Sequence, residues 1–342
     1  MLTAPAHDTE PAAECQLTTP ILIDTDPGID DALAILLAFG SPEVSVKAIT
    51  TVAGNVEVSL GSDNIFRILD VVRPALRPRV AEGASAPLRQ PLVTAPHVHG
   101  ADGLGNLDRF VEADGRRRYP GLSRGLEMLD GADLILRTVE DFPDQLVVVA
   151  LGPLTNLALA VQRDPAALKR CARIVIMGGA VAVGGNVTPV AEFNMYVDPD
   201  AAAAVFEGGL PIDLVPLDVT RQVMLTRDSL QGSLSRRRGS RARFIEDFTL
   251  FGFEFGESRR EGGIFLHDPL AMAVAIEPAL VGFESLHVAV EAEGRLTRGM
   301  TVADLRDIEP YRKEPPTCRA ALSVDSARFL HFFLERLCPA SA

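Results

Sequence analysis

Four carboxylates lie within eight residues near the start of the chain, in the run Asp24-Thr25-Asp26-Pro27-Gly28-Ile29-Asp30-Asp31. Carboxylates held this close repel one another unless a cation or a proton compensates their charge. All the donors are oxygens, which favours Ca²⁺ or Mg²⁺ over zinc. Helix capping would explain Asp30 or Asp31 alone. It does not explain Asp24 and Asp26, which follow a short apolar run at the place where α/β proteins bind their ligands.

A glycine-rich segment later in the chain offers hydrogen-bonding groups of another kind. It carries Asn186, Glu192 and Asn194, whose amide and carboxylate groups suit the hydroxyls of a sugar. A polar loop with turn-forming asparagines would look the same. Because the segment completes neither a G-x-x-x-x-G-K-[ST] nor a G-x-G-x-x-G pattern, we do not predict a phosphate cradle here.

Histidines mark two further places. His267 precedes Asp268 at the start of an apolar helical run, where Asp268 alone would be an N-cap and His267 an ordinary surface imidazole. His97 and His99 lie in a long irregular segment, and two histidines separated by one residue are weak grounds for a zinc site.

The elements that must position these residues alternate between apolar strand-like runs and helical patterns. This alternation predicts an α/β protein with a mostly parallel central sheet flanked by helices, a Rossmann-like open sheet with its active site at the C-terminal ends of the strands. The predicted strands are Ile21–Ile23, Val44–Val52, Leu146–Leu151, Arg173–Met177 and Ile212–Leu217, and the predicted helices are Asp31–Phe39, Val56–Val72, Thr155–Val161, Asp198–Phe206 and Asp268–Ile276.

The remaining stretches are less regular. Residues 83–121 are rich in Gly, Pro, His and Asp and are predicted to form a long functional loop, and residues 283–324 alternate like β-structure. No internal repeat or linker divides the chain. We therefore predict a disordered tail over residues 1–19 and a single domain over residues 20–342.

Composition excludes several classes of partner. The chain has 342 residues and a formal charge of −13, which argues against nucleic acid. Its one dense run of arginines, residues 236–243, is interpreted as a solvated loop. Neither a signal-peptide pattern nor 18 consecutive apolar residues occur, and no membrane partner is predicted.

The scattered cysteines indicate a reducing compartment, so we expect a cytoplasmic protein; they are Cys15, Cys171, Cys318 and Cys338.

Seven motifs, in this order, resemble those of the inosine-uridine-preferring nucleoside hydrolases. The resemblance runs from about Ile21 to Val324, and it implies an enzyme that splits ribonucleosides into free base and ribose. The motifs are the run Asp24 to Ala32, Thr51-Val52-Ala53-Gly54-Asn55, His99-Gly100, Gly152-Pro153-Leu154-Thr155-Asn156, Met177-Gly178-Gly179, the segment Asn186 to Asn194, and His267-Asp268-Pro269.

The resemblance also implies roles for the residues of these motifs. One Ca²⁺ per chain would be bound by Asp26, Asp31, Asp268 and the backbone carbonyl of Leu151, and Asp26 would act as general base on the Ca²⁺-bound water. The ribose 2′- and 3′-hydroxyls would contact Asp30, Asn194 and Asp268, and the 5′-hydroxyl would contact Asn186 and Glu192. Asn55 and Met177 would line the same pocket.

Departure of the base requires a proton, because a purine or pyrimidine anion is a poor leaving group. His267, which is adjacent to a proposed ligand and is expected to titrate near neutrality, is the best candidate for the general acid. His99 is expected to face the same cavity.

Base recognition is expected from residues 97–107 and from the helix that carries Phe248, Phe251, Phe253 and Phe255. The absence of Trp speaks against purine-specific relatives that stack the base between indoles, and His267 favours the non-specific or pyrimidine-preferring type. We expect a homodimer or homotetramer.

Two other functions fit parts of the sequence. A haloacid-dehalogenase-like phosphatase would also place Asp-x-Asp at a strand end with Mg²⁺, but this chain has only three lysines to supply that family's phosphate-binding cation. A non-catalytic nucleoside-binding protein could keep every ribose contact, although it would have no need of both Asp26 and His267.

Overall fold

A computed structural model describes residues 18–121, 125–235, 237, 239–306 and 314–339. Its twelve strands are β1 (Thr19–Thr25), β2 (Val44–Thr51), β3 (Arg79–Glu82), β4 (Val147–Ala150), β5 (Arg173–Met177), β6 (Ile212–Val215), β7 (Met224–Leu225), β8 (Ile264–Phe265), β9 (Val281–Leu286), β10 (Val288–Val290), β11 (Thr301–Ala303) and β12 (Cys318–Val324).

Eight of the strands form the central sheet, in the order β3-β2-β1-β4-β5-β6-β12-β9. All neighbours in it are parallel except β12 and β9. The chain winds outward from β1 to β3 on one side and resumes with β4 on the other. The strand order therefore reverses between β1 and β4, and α/β proteins bind their ligands at such a crevice.

Helices connect most of these strands. The thirteen α-helices of the described ranges are α1 (Ile29–Phe39), α2 (Val58–Val72), α3 (Pro96–His99), α4 (Gly131–Asp141), α5 (Thr155–Arg163), α6 (Pro165–Leu168), α7 (Phe193–Val197), α8 (Pro199–Glu207), α9 (Leu217–Thr220), α10 (Arg227–Leu234), α11 (Ser240–Arg259), α12 (His267–Ile276) and α13 (Ser326–Leu337). None of the helices in the described ranges is long and apolar enough to span a bilayer.

The sheet separates two hydrophobic cores. Successive side chains of a strand point to opposite faces, so Ile21 and Ile23 of β1 enter one core and Leu22 enters the other. The first core lies under α1, α2, α11, α12 and α13, and the second lies under α4, α5 and α8. Strands covered on both faces explain the continuous apolar runs in the sequence.

The α/β architecture predicted from the sequence is confirmed, with the ends of most elements shifted by a residue or two. Leu217, predicted to end a strand, instead begins α9. The β-rich stretch from residue 283 supplies short strands, of which β9 and β12 join the central sheet, while its residues 307–313 lie outside the described ranges. The single-domain organisation stays a prediction.

Two other predictions concern the chain ends and the arginine run. The expected tail lies outside the described residues as far as residue 17, and Thr19 already belongs to β1. The solvated loop predicted for the arginine run is wrong at Arg241 and Arg243, which lie in α11. The Arg241 guanidinium donates to the carbonyl oxygens of Leu36 at 2.6 Å and Leu337 at 2.9 Å. Residues 236 and 238 lie outside the described ranges.

Candidate active site

The strand reversal brings two parts of the sequence together that are more than a hundred residues apart. β1 ends at Thr25, so Asp26 follows at its carboxyl end, and β4 ends just before Leu151. The backbone N–H of Leu151 donates to the carbonyl of Asp24 at 2.8 Å, which fixes the end of one strand against the other. The acidic run therefore lies at the crevice of the sheet.

Asp31, in the first turn of α1, is held by hydrogen bonds to both of its carboxylate oxygens. Its Oδ2 accepts from the Gly28 backbone N–H at 2.8 Å and from Asn55 Nδ2 at 3.2 Å. Its Oδ1 accepts from the Thr25 hydroxyl. The capping role considered for this acid is therefore present, and it accounts for only one of several carboxylates at the site.

Asp268, in the first turn of α12, completes a three-carboxylate cluster with Asp30 and Asp31. One oxygen from each lies within 4.8 Å of the others. Asp26, which is fully buried, is close enough for its charge to raise the pKa of Asp268. Burial, reinforced by the neighbouring carboxylates, raises the pKa of Asp26 and Asp268 well above the usual range and that of Asp30 to about 8.

Asp26 differs from Asp31 in having an oxygen without a partner. Its Oδ2 accepts from the Asn55 backbone N–H at 2.6 Å, whereas its buried Oδ1 has no hydrogen-bond partner among the described residues. Two glycines leave room for this carboxylate. A Cβ at Gly54 would lie 2.0 Å from Oδ2, and one at Gly152 would lie 2.7 Å from Oδ1.

A cavity of about 250 Å³ lies above the carboxylates. Asp26 and Asp31 are fully buried and do not line this cavity. All the other residues that the sequence analysis proposed for the site do line it. Those lining residues are Asp30, Asn55, His99, Leu151, Met177, Asn186, Glu192, Asn194, His267 and Asp268.

The glycine-rich segment forms the wall beyond β5. Asn194 Nδ2 donates to the carbonyl of Leu151 at 2.6 Å and to that of Met177 at 3.2 Å, so it ties this segment to the ends of two strands. Glu192 caps α7 and accepts from the backbone N–H of Asn194 at 3.0 Å. Asn186 uses its Oδ1 to accept from the Phe193 N–H at 2.9 Å, which leaves its amide N–H groups for a ligand.

Two histidines face the cavity, and both are neutral at pH 7. Burial lowers the pKa of His99 to about 4, and its Nδ1 accepts from the Ile29 backbone N–H at 3.1 Å. Burial, with a smaller contribution from the charge of Arg221, lowers the pKa of His267 to about 4. The expectation that His267 titrates near neutrality is therefore wrong for the ligand-free site. Its Nδ1 lies 2.8 Å from the Thr220 hydroxyl.

Aromatic residues also line the cavity, and the sequence analysis predicted only some of them. Of the phenylalanines proposed on α11, Phe255 lines the cavity, but Phe248 and Phe253 are buried in the core. Phe193 and Phe265 line it as well, and nothing in their local sequence distinguishes them from core residues. His97 packs against Phe255, with ring centroids 6.4 Å apart.

The donors at the base of the site fit a divalent cation. They are hard oxygens, several buried carboxylates compete for ionisation there, and buried oxygens of Asp26 and Asp30 lack partners among the described residues. A cation would satisfy these oxygens and favour ionisation of the acids. In the described part of the chain, neither His97 nor His99 belongs to a group of metal-ligating side chains, so zinc at these histidines has no support.

Comparison with known proteins agrees with this geometry. Residues 21–331 match the family model described as inosine-uridine preferring nucleoside hydrolase. A probable uridine nucleosidase 1 of Oryza sativa subsp. japonica is 37% identical over 325 residues, which are 93% of this chain and 96% of that protein.

Two more relatives cover similar lengths. The pyrimidine-specific ribonucleoside hydrolase RihA of Citrobacter koseri is 36% identical over 94% of this chain and 98% of its own. The solved structure of a purine-preferring ribonucleoside hydrolase from Gardnerella vaginalis is 34% identical, has a TM-score of 0.82, and is matched over 93% of this chain and 98% of that one. The chain belongs to the inosine-uridine preferring nucleoside hydrolase family.

Proposed function

We propose that this protein hydrolyses the N-glycosidic bond of ribonucleosides to a free base and ribose, with uridine as a preferred substrate. Membership of the family makes it a hydrolase of N-glycosyl compounds. The observation that carries the proposal is Oδ1 of Asp26, a buried carboxylate oxygen without a hydrogen-bond partner among the described residues. It lies close to Asp30, which lines a cavity rich in groups that can bind hydroxyls.

Ribose recognition is assigned to the polar half of the cavity. Asp30, Asn194 and Asp268 would bind the 2′- and 3′-hydroxyls, and Asn186 and Glu192 would bind the 5′-hydroxyl. Carboxylates accept hydrogen bonds from hydroxyls, and the amide of Asn186 can donate to one. Asn55 and Met177 would pack beside the sugar.

The cation of the site is assigned as Ca²⁺, one per chain, held by Asp26, Asp31, Asp268 and the Leu151 carbonyl. The donor chemistry supports a hard divalent ion. Asp30, which lies in the observed carboxylate cluster, is left to the ribose. When bound, the cation would lower the pKa of a neighbouring water and orient it.

The chain's own residues supply the remaining chemistry. Asp26 Oδ1 would accept the proton of the attacking water, and the surrounding carboxylates would stabilise the positive charge that develops on the ribosyl group. His267 would protonate the departing base. The acid would be the imidazolium form, which is left neutral after the transfer, while Thr220 holds Nδ1. Because the pKa of His267 lies near 4 in the ligand-free site, this role requires the negative charge that develops on the departing base to raise that pKa.

Turnover of a nucleoside panel tests the proposed activity. Release of reducing sugar from uridine, cytidine, inosine, adenosine and guanosine should be measurable, with the highest kcat/KM for uridine. Inosine or guanosine as the best substrate would overturn the base preference. Tight nucleoside binding without turnover would identify a non-catalytic binding protein, and phosphate release from phosphomonoesters would favour the phosphatase alternative.

Comparison of uridine with 2′-deoxyuridine tests the ribose assignment. Buried polar groups left without a partner cost about 1–3 kcal/mol each, so the deoxynucleoside should have a kcat/KM lower by about 5- to 150-fold or more. Equal efficiency on the two substrates would exclude 2′-hydroxyl recognition by Asp30, Asn194 and Asp268.

We also propose that the protein is a cytoplasmic homodimer or homotetramer. Light scattering coupled to size-exclusion chromatography would give the mass directly, and a monomer would refute the assembly.

A further inference from the structure

A second cleft, of about 650 Å³, shares no lining residue with the active-site cavity. It lies where the end of α2, residues 112–121 and the start of α11 meet. Two acidic side chains and five arginines line it, although the whole chain carries a formal charge of −13. The arginines are Arg67, Arg73, Arg77, Arg118 and Arg243.

Arg67 is the buried member of this set, with a side chain only 6% exposed. Its Nη1 lies 3.4 Å from Asp102 Oδ2, and its Nη2 lies 2.9 Å from Asp108 Oδ1. Its Nε has no hydrogen-bond partner among the described residues. A buried N–H group without an acceptor costs free energy of folding, so the Arg67 guanidinium keeps one unused donor.

The N-terminus of α11 lies at the same cleft. Ser240, the first residue of this twenty-residue helix, lines the cleft together with Arg243 in the first turn. The N-cap is Gly239, so no side chain caps the first N–H groups of the helix. Uncapped N–H groups at a helix N-terminus attract anions.

Arg118, Arg73 and Arg243 also line the cleft. Arg118 is held by Asp247 at 2.8 Å and Glu112 at 3.0 Å, which fixes its guanidinium in place. Arg73 donates its Nε to the carbonyl of Asp70 at 3.2 Å, and no hydrogen bond from its Nη groups occurs in the described part of the chain. Within the same ranges, the Arg243 guanidinium forms neither an ion pair nor a hydrogen bond.

We propose that this cleft binds the phosphate group of a small phosphorylated molecule. Several forked guanidinium groups and a helix N-terminus line one open cleft, and a phosphate dianion accepts from both kinds of donor. Five arginines line this one cleft in a chain of formal charge −13, and a local basic site of this size suits a small anion better than a nucleic-acid backbone.

Isothermal titration of the full-length protein with inorganic phosphate, pyrophosphate and glycerol 3-phosphate tests the proposal. We expect one molecule bound per chain. Arg243→Ser should weaken binding by about 10- to 100-fold, since hydrogen bonds to charged groups contribute about 1.5–3 kcal/mol. Arg295→Ser, which removes one exposed arginine outside the cleft, is the matched control and should bind like the wild type.

The binding heats do not depend on nucleoside turnover, so this test and that of the proposed activity can fail separately. Binding of inorganic phosphate would identify phosphate itself as sufficient, whereas binding of glycerol 3-phosphate alone would identify a phosphate ester. Absence of binding for all three probes at millimolar concentrations would overturn the proposal, as would equal losses in Arg243→Ser and Arg295→Ser.

Discussion

At the scale of single residues, Asp26 and Asp31 show how similar side chains in one turn acquire different roles. Both are fully buried. Asp31 accepts from Thr25, Gly28 and Asn55, so its orientation is fixed by the protein. Asp26 accepts from one backbone N–H and keeps Oδ1 without a partner among the described residues. The acid with the spare oxygen is the better proton acceptor.

Replacement of Asp26 by Asn tests this role. The amide can still offer an oxygen to the cation but cannot accept the proton of the attacking water. We expect kcat to fall by about 10²- to 10⁴-fold for every nucleoside, while ribose binding, measured calorimetrically, largely survives. A variant that keeps wild-type kcat would remove Asp26 from the proton transfer.

Replacement of His267 by Ala should give losses that depend on the leaving group. Inosine and uridine need a proton on the departing base, and their turnover should fall by about 10²- to 10⁴-fold. A p-nitrophenyl riboside, whose phenolate leaves without protonation, should be hydrolysed almost as fast as by the wild type. If both substrate types slow equally, His267 positions the ribose or Asp268, and His99 becomes the next candidate for the acid.

At the scale of elements, the turns after β1, β2 and β4 determine where the carboxylates can lie. Residues 54 and 152 belong to the turns after β2 and β4, and both are glycines packed against Asp26. The side chain of Asp26 therefore occupies space that any Cβ at these positions would take. Sequence motifs at three strand ends act as one unit because the parallel sheet brings those ends side by side.

Gly152→Ala tests this packing. Its Cβ would lie 2.7 Å from Asp26 Oδ1 and 2.9 Å from Val52 Cγ1, so the carboxylate must move. Because displacement of a catalytic group by about 1 Å can cost about 10²-fold, we expect a loss of that size in kcat. Gly232→Ala is the matched control: nothing lies within 4 Å of a Cβ there, and activity should be unchanged. Equal activity of the two variants would contradict the proposed crowding.

At the scale of the whole molecule, the site concentrates buried carboxyl groups in an already acidic protein. Burial and the charge of Asp31 raise the pKa of Asp30 to about 8, and burial with the neighbouring carboxylates raises the pKa values of Asp26 and Asp268 well above their usual range. Without a cation, ionisation of these groups opposes folding. The fold and the cation site are therefore energetically linked.

Cation removal should accordingly destabilise the protein more at high pH. In the cation-free protein these carboxyls have folded pKa values above their unfolded values, so their favourable contribution exists at low pH and is lost as pH rises toward about 8. We expect chelation to lower Tm slightly at pH 5 and by several degrees at pH 8, with recovery on adding Ca²⁺. A chelator effect that does not change with pH would contradict this linkage.

Much of the site could be predicted from the sequence because its residues occur in short motifs beside apolar runs. Asp24 to Asp31 follow a strand and open a helix in both the prediction and the structure. Alternating strand and helix patterns also predicted the parallel sheet, since local periodicity records which face of each element is buried. The sequence by itself thus determined the fold class, the family resemblance and most of the polar residues that line the cavity.

Only the tertiary structure decided which elements are neighbours and what surrounds each side chain. Periodicity identifies Phe248, Phe253 and Phe255 as helical residues. In the folded protein, Phe248 and Phe253 lie in the core and Phe255 lines the cavity. Burial, a property of the assembled fold, lowers the pKa of His267. The arginine cleft joins residues of α2, α11 and the segment between them, because contacts between distant parts of a chain depend on three-dimensional packing that local sequence patterns do not encode.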